Sequence, residues 1–543
     1  MEPPEQASRP TGAGDPFEQA VAALTPPQLR AVESPSPSLC IVAGAGSGKT
    51  RVLTLRVARR IRDGAAEADH TAVCTFTRKA AHELRGRLRR YGAPVSAPAG
   101  GGGAPGPGVR AGTLHQLALT LLRRHALDAG DAPPVVAEHR FRIISGLVGD
   151  PATASALDTE IGWAKARCLD PGAYADAAEL AGRTVAPGIE RAAQGFADYQ
   201  AALRRRGSLD LDDVLVRAAD LLEEDRVFAE GTRWRYRHLA VDEFQDVNPA
   251  QFRLVGELLG GRDDLCVVGD PNQAIYAWNG ADPTLLARLP ELVPGMEVVR
   301  LDENHRSTPQ VVAAASAALG PSAAVPPRSA APGGPMPLVT AYEDGDAEVE
   351  GVVSHLLDRS EDGRPWSDQA VLARTHDQLA VVARALARAG IPYRIAPGPE
   401  STAPDAGRGA GAGGTRRAAG RAAVDATADD AVELATFHRA KGLEWGSVHV
   451  VGLEEGFVPI VYAESPGAID EERRLLYVAL TRAERDLHCS WARVRRMGNG
   501  RQMERQPSPW LAAVARVSRA GNGRITPRDA SRRIAEIRAG LAR

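Results

Sequence analysis

Short runs rich in β-branched residues alternate with longer amphipathic stretches along this chain. LCIVA ends at Ala43, TAVCT at Thr75, HLAVD at Asp242, LCVVG at Gly269 and EVVRL at Leu301. Apolar runs without polar alternation suit strands buried on both faces, so they predict a parallel sheet covered by helices. The stretch after the first run places Leu53, Val57 and Ile61 at four-residue spacing, the stripe of a helix packed on that sheet. A second set, PLVTA (to Ala341), QAVLA (to Ala373), VELAT (to Thr436), SVHVVG (to Gly452) and DLHCSW (to Trp491), predicts a second α/β lobe. Residues 119–235 carry helical patterning without a convincing strand, which predicts a helical insertion in the first lobe.

A chain of 543 residues has length for roughly three to four domains. Apolar residues are 44% and charged residues 25%, and no apolar run approaches the ~20 residues that span a bilayer. No membrane role is expected, and the address read from the sequence is cytoplasmic. The N-terminus has no basic start followed by an apolar stretch, so residues 1–16 read as a disordered leader. Five scattered cysteines with no CxxC pair read as reduced thiols. A net charge of -2 argues neither for nor against nucleic acid. The basic residues are lopsided: Lys49, Lys79, Lys165 and Lys441 are the four lysines against 62 arginines. Each lysine is therefore a candidate for a place where a compact ammonium is needed and a guanidinium does not fit.

Two low-complexity stretches, Gly92 to Gly108 and Pro397 to Ala428, read as mobile linkers. After Trp491, thirteen arginines face Glu504, Asp529 and Glu536. Residues 496–543 read as a basic tail, either a solvated helical end or a nucleic-acid contact.

The row AGAGSGKT, from Ala43 to Thr50, lies between a predicted strand and a predicted helix, and matches a phosphate loop with alanine at the first glycine. Ala43, Gly44, Ala45, Gly46, Ser47 and Gly48 would turn backbone N–H groups toward phosphates. Lys49 would reach the outer phosphates, and Thr50 would offer a hydroxyl to Mg²⁺. VDEFQD puts Asp242 and Glu243 at a strand end, where ligands collect in open parallel sheets. Asp242 suits Mg²⁺, and Glu243 suits deprotonation of an attacking water.

LTPPQ, AGAGSGKT, TFTRKAA, GTLHQLAL, VDEFQD, VVGDPNQAIYAW, LDENHRST, ATFHRAKGLEW and EERRLLYVALTRA stand in this order. Together the series resembles the motif set of the UvrD/Rep/PcrA superfamily 1 DNA helicases, and is most similar to the shorter UvrD-like helicases of actinobacteria. The resemblance covers about residues 24 to 491 and implies two RecA-like lobes with one helical insertion. Its implied boundaries are 17–118 with 236–302 for lobe 1A, 119–235 for insertion 1B, and 303–396 with 430–495 for lobe 2A. Residues 397–429 stand as a linker where larger relatives insert a helical 2B domain, which is expected to be missing.

Carried over position by position, the resemblance implies that Gln28 reads adenine, Arg51 flanks the base and Glu444 holds the ribose. Gln273 would sense the γ-phosphate, and Arg306 and Arg482 would be arginine fingers. His305 stands where a tyrosine usually stacks on adenine. Phe76, Tyr276 and Trp278 would stack on DNA bases, with Thr77, Lys79, His115, Thr436 and His438 on the backbone. Asn279 and Arg78 depart from the usual arginine and asparagine. No nuclease motif follows Trp491. The implied function is an ATP- and Mg²⁺-dependent 3′ to 5′ helicase or translocase, acting as a monomer on single-stranded and tailed duplex DNA. The alternatives are a translocase that displaces proteins with little unwinding, and a DNA-binding scaffold with a decayed ATPase.

Overall fold

The computed structural model describes residues 14–97, 106–137, 139–186, 188–320, 327–396, 430–496 and 501–521. The expected leader up to residue 13, much of the first glycine-rich stretch, the whole 397–429 tract and the tail beyond 521 lie outside the described residues. Two compact units emerge, the first mostly from residues up to 301 and the second mostly from 302 onward, with Gly44–Ser47 and Pro271–Trp278 assigned to the second.

In the first unit, β1 (Leu39–Ala43), β2 (Thr71–Thr75), β3 (Arg110–Thr113), β4 (His238–Val241), β5 (Leu265–Gly269) and β6 (Glu297–Leu301) form a sheet in the order β3-β2-β4-β5-β1-β6. Every pairing is parallel. Successive side chains of β1 point to opposite faces, as a strand's two-residue period requires. Leu39 and Ile41 join a core with Val52, Leu53 and Leu55 of the Lys49–Arg62 helix. Cys40 joins a different core, with Leu117, Leu215 and Leu254 from three helices on the other face. The expected Leu53, Val57 and Ile61 stripe lies on this sheet, with Ile61 at its partly buried margin. Arg56 of the same helix is buried, and its guanidinium donates to the carbonyls of Ala31, Ser34 and Ser36.

Residues 114–235 are almost entirely helical, with one two-residue strand pair, Val135–Val136 with Ser208–Leu209. They hold a core of their own that includes Leu157, Trp163, Tyr174, Phe196 and Tyr199. Inside it Lys165 is buried, 2.7 Å from Asp210 Oδ2 and 2.8 Å from Asp213 Oδ1. Two carboxylates converge on one ammonium. Strand β3 was not expected: RAGT has too little apolar character to show as a run, and it is a strand because β2 pairs along its full length.

The second unit contains β7 (Leu338–Asp344), β8 (Gln369–Ala373), β9 (Tyr393–Ile395), β10 (Val432–Thr436), β11 (Trp445–Val450), β12 (Ala483–Arg496), β13 (Gln502–Glu504) and β14 (Arg519–Ala520). Its order is β9-β10-β8-β11-β12-β7-β14, with β13 antiparallel on β12. Val371 and Leu434 pack under the Gly345–Glu361 and His376–Ala389 helices, and Leu372 and Val450 pack under Pro309–Leu319 and Pro466–Leu480. Within the expected tail, residues 501–521 are described. Trp510, Leu511 and Val514 enter the core, and Arg495 is ion-paired with Glu348 and with Glu454 (2.5 Å). Among the described residues, no helix is long and apolar enough to cross a membrane.

Candidate active site

The carboxyl ends of β1, β4 and β5 carry the chemistry of the first unit. Strand β1 ends at Ala43, and the Lys49–Arg62 helix starts directly after the glycine-rich turn. Gly46 and Gly48 have φ of +68° and +79°, and a Cβ at Gly46 would lie 2.6 Å from Asn304 Oδ1, so both sterics and backbone demand glycine. Such a turn opening a helix presents backbone N–H groups and the positive end of the helix dipole to an anion. Ser47 Oγ donates to Gly44 O at 2.8 Å, closing the turn on itself. Lys49 Nζ lies 3.7 Å from Asp270 Oδ2 at the end of β5.

Gln28 is buried on the Pro26–Glu33 helix, and its Oε1 accepts from Thr25 N at 3.0 Å. Its Nε2 would be 3.2 Å from a Cβ at Gly48, so the amide abuts the turn. Arg51 donates to Ala20 O at 2.8 Å.

Thr50 Oγ1 donates to Asp242 Oδ2 at 3.0 Å. Asp242 is buried; burial first, and the adjacent Glu243 charge second, push its carboxyl up to about 7. A hydroxyl and a carboxylate facing each other, the carboxylate short of positive charge, fit the hard oxygen donor set that Mg²⁺ takes. Glu243 has φ of +54°, a left-handed backbone that a non-glycine residue holds at a cost of about 1–3 kcal/mol. Strain of this kind is tolerated where the surroundings over-determine the residue. Here Glu243 N donates to Asp242 Oδ1 at 2.9 Å and Gln245 Nε2 donates to Glu243 Oε2 at 2.5 Å. Gln245 Oε1 accepts from Asp270 N at 2.9 Å, so one buried amide joins the ends of β4 and β5. Gln245 and Asp270 went unassigned from sequence, because a glutamine in an acidic motif carries no signal until both its partners are seen.

In the second unit, Arg306 Nη2 pairs with Glu444 Oε2 at 2.5 Å. Arg482 is buried and donates to Val478 O at 2.9 Å, Leu443 O at 3.1 Å and Thr481 Oγ1 at 3.2 Å. His305 lies 3.6 Å from Glu303 through its ring, and its backbone N–H donates to Gly46 O at 2.9 Å. Gln273 is buried, and its carbonyl accepts from Lys441 Nζ at 2.7 Å. That ammonium also sits 5.2 Å over the Tyr276 ring.

Tyr276, Trp278 and His438 form an aromatic cluster, with His438 6.4 Å from Tyr276 and 6.1 Å, edge-on, from Trp278. Trp278 is 51% exposed, so about half of its surface is open to a ligand. The cluster is held from behind by the Pro466–Leu480 helix: Glu471 Oε1 accepts from Ala277 N at 2.7 Å and Arg474 Nε donates to Ala274 O at 2.8 Å. Burial, then Arg374, Lys441 and Arg439, push His438 down to about 3, so it offers a neutral ring. Thr436 is buried at the end of β10.

In the first unit, Phe76, Thr77 and Lys79 follow β2 and His115 follows β3. Thr75 pairs with Thr113, so these groups leave neighbouring strand ends. Thr77 Oγ1 caps the next helix by accepting from Ala80 N at 3.1 Å, and Lys79 is exposed. Burial lowers the His115 pKa, partly opposed by Asp212 and Asp210.

Residues 24–294 match the model of the UvrD/REP helicase N-terminal domain, and residues 420–494 match that of the UvrD-like helicase C-terminal domain. The chain is 34% identical to the ATP-dependent DNA helicase UvrD2 of Mycobacterium tuberculosis (strain ATCC 25618 / H37Rv), over 93% of this chain and 83% of that protein. It is 30% identical to the ATP-dependent DNA helicase PcrA of Bacillus subtilis (strain 168), over 70% of this chain and 51% of that protein. It is 32% identical to DNA helicase II of Escherichia coli (strain K12), over 68% and 51% respectively. With two domain models in register and this identity across nearly its full length, the chain belongs to the UvrD/Rep helicase family.

Proposed function

We propose that this protein is an ATP- and Mg²⁺-dependent motor that moves 3′ to 5′ on single-stranded DNA and separates tailed duplex, in repair or replication-associated processing. The observation that carries the reading is the Thr50 Oγ1 to Asp242 Oδ2 contact of 3.0 Å, with Lys49 and Glu243 adjoining it in sequence at the ends of parallel strands. Mg²⁺ held by Thr50 and Asp242 would supply charge neutralisation on the phosphate oxygens. Lys49 binds the outer phosphates, and Glu243, aimed by Gln245, accepts the proton of the attacking water. Gln28 reads adenine, Arg51 flanks the base, His305 stacks on it and Glu444 holds the ribose; Gln273 senses the γ-phosphate.

Arg306 and Arg482 are the proposed fingers. Their guanidinium groups are engaged by Glu444 and by main-chain carbonyls, so acting on a phosphate means exchanging those bonds for charge-assisted ones. Tyr276, Trp278 and Phe76 are the proposed stacking platforms; Thr77, Lys79, His115, Thr436 and His438 are the proposed backbone contacts.

ATPase measured with and without single-stranded DNA tests the motor, with strong stimulation expected. Unwinding of a 3′-tailed against a 5′-tailed duplex tests polarity, and streptavidin displacement from a single strand separates translocation from unwinding. ATPase that ignores DNA sinks the reading.

A further inference from the structure

His355, His449 and His488, none of them assigned a role above, converge within the second unit. Their candidate ligand atoms all lie within 4.8 Å of one another. His355 Nδ1 is 2.9 Å from His488 Nδ1, and His449 Nδ1 is 3.2 Å from the same atom. Strands β11 and β12 place His449 directly opposite His488, and the Gly345–Glu361 helix supplies His355. His449 and His488 are buried, and His355 is half-buried.

An imidazole nitrogen carries either one proton or one lone pair, so His488 Nδ1 cannot donate to one of its two neighbours and accept from the other. His449 Nε2 is buried with no hydrogen-bond partner among the described residues, and ligation through Nδ1 leaves its N–H as it is. A cation among three Nδ1 lone pairs removes the conflict. Tetrahedral Zn²⁺, at about 2.0–2.1 Å from each nitrogen, sets its ligands about 3.3 Å apart, close to the two spacings from His488 Nδ1 of 2.9 and 3.2 Å.

The surroundings agree with such a site. His488 Nε2 lies 2.9 Å from Thr340 Oγ1, the outer hydrogen bond that fixes the ring of a metal-ligating histidine. A cleft of about 170 Å³ leads to the rings, lined also by Met336, Asp358, Asp486 and Arg359, the last ion-paired with Asp486 at 2.9 Å. Burial keeps His449 and His488 neutral, the form in which imidazole donates a lone pair.

We propose that His355, His449 and His488 bind one divalent first-row transition metal ion, Zn²⁺ as the probe, which staples the Gly345–Glu361 helix to the two strands that begin directly after Glu444 and Arg482. Three imidazoles select against the Mg²⁺ that accompanies nucleotide, because Mg²⁺ prefers oxygen.

The test uses the full untagged chain, stripped with chelator, dialysed, and titrated with Zn²⁺ and with Co²⁺ in excess Mg²⁺. The expected result is one ion per chain surviving gel filtration, a visible Co²⁺ spectrum without the charge-transfer band of a thiolate ligand, and a rise in melting temperature. His355→Asn, on the half-buried side, is expected to weaken Zn²⁺ binding roughly 10- to 100-fold or more while the metal-free protein melts as the parent does. If that variant fails to fold, the Co²⁺ spectrum of the parent decides. Absence of a stoichiometric ion, a thiolate spectrum, or Zn²⁺ binding unchanged by His355→Asn overturns the proposal.

Discussion

Gln245 reaches back to Glu243, its Nε2 donating to Oε2 at 2.5 Å while its Oε1 takes the Asp270 N–H at 2.9 Å. The carboxylate of a strained residue is thereby locked to the end of the neighbouring strand. Glu243→Gln is expected to keep nucleotide binding and lose about 10²- to 10⁴-fold in turnover, since an amide cannot accept the water's proton. Gln245→Ala is expected to lower kcat about tenfold with KM nearly unchanged, because only the aim of the carboxylate is lost. Steady-state kinetics with saturating single-stranded DNA separate the two; a Gln245→Ala defect confined to KM contradicts a positioning role.

The raised carboxyl of Asp242, at about 7 against an ordinary 3.8, makes the metal-free protein pH-sensitive. Native Asp242 retains its proton up to near pH 7 while the unfolded chain releases it near pH 4. The stability associated with the neutral form is therefore complete below pH 4 and lost as pH rises through 7. Asp242→Asn removes that dependence. In chelator, the variant is expected to melt above the parent at pH 8 and close to it at pH 5, while losing Mg²⁺-dependent nucleotide binding. A variant that melts lower at pH 8 contradicts the assignment.

Trp278 is exposed at the front of a cluster braced from behind by Glu471. Trp278→Ala is expected to weaken single-strand affinity by about 1–3 kcal/mol with little base preference, leaving ATPase without DNA unchanged. Fluorescence anisotropy on homopolymeric strands reads this directly. Loss of thermal stability with unaltered affinity would assign the ring to packing.

Lys165 joins Asp210 and Asp213 inside the helical segment, with Tyr199 also donating to Asp210 at 2.9 Å. Lys165→Met strands buried carboxylates and is expected to cost about 3–5 kcal/mol by urea unfolding. A near-neutral effect would mean that Arg140, whose charge also acts on Asp210, suffices.

The strands most legible in the sequence were those buried on both faces, since LCVVG and QAVLA are buried at every position and so leave an unbroken apolar run. RAGT, YRI and RA were illegible because edge or near-edge strands need only partners, not apolar faces. The glycine-rich turn was readable because Gly46 and Gly48 hold positive φ that other residues rarely adopt. What residue type could not reveal was engagement: that Arg482 is held by the main-chain carbonyls of Val478 and Leu443, that Lys441 bonds the Gln273 carbonyl, or that three histidines 39 to 133 positions apart share one point. Those are long-range pairings, and no local pattern encodes them.

Leu39 and Ile41 belong to one apolar core and Cys40 to the other, so β1 is a shared wall rather than a boundary. Neither core can melt while the other keeps this strand in place. Amide exchange in the first unit should then show β1 and its neighbour β5 as its slowest protons, released together in one opening event, with the Ile143 to Leu203 helices free to open earlier because their core contains no residue of that wall.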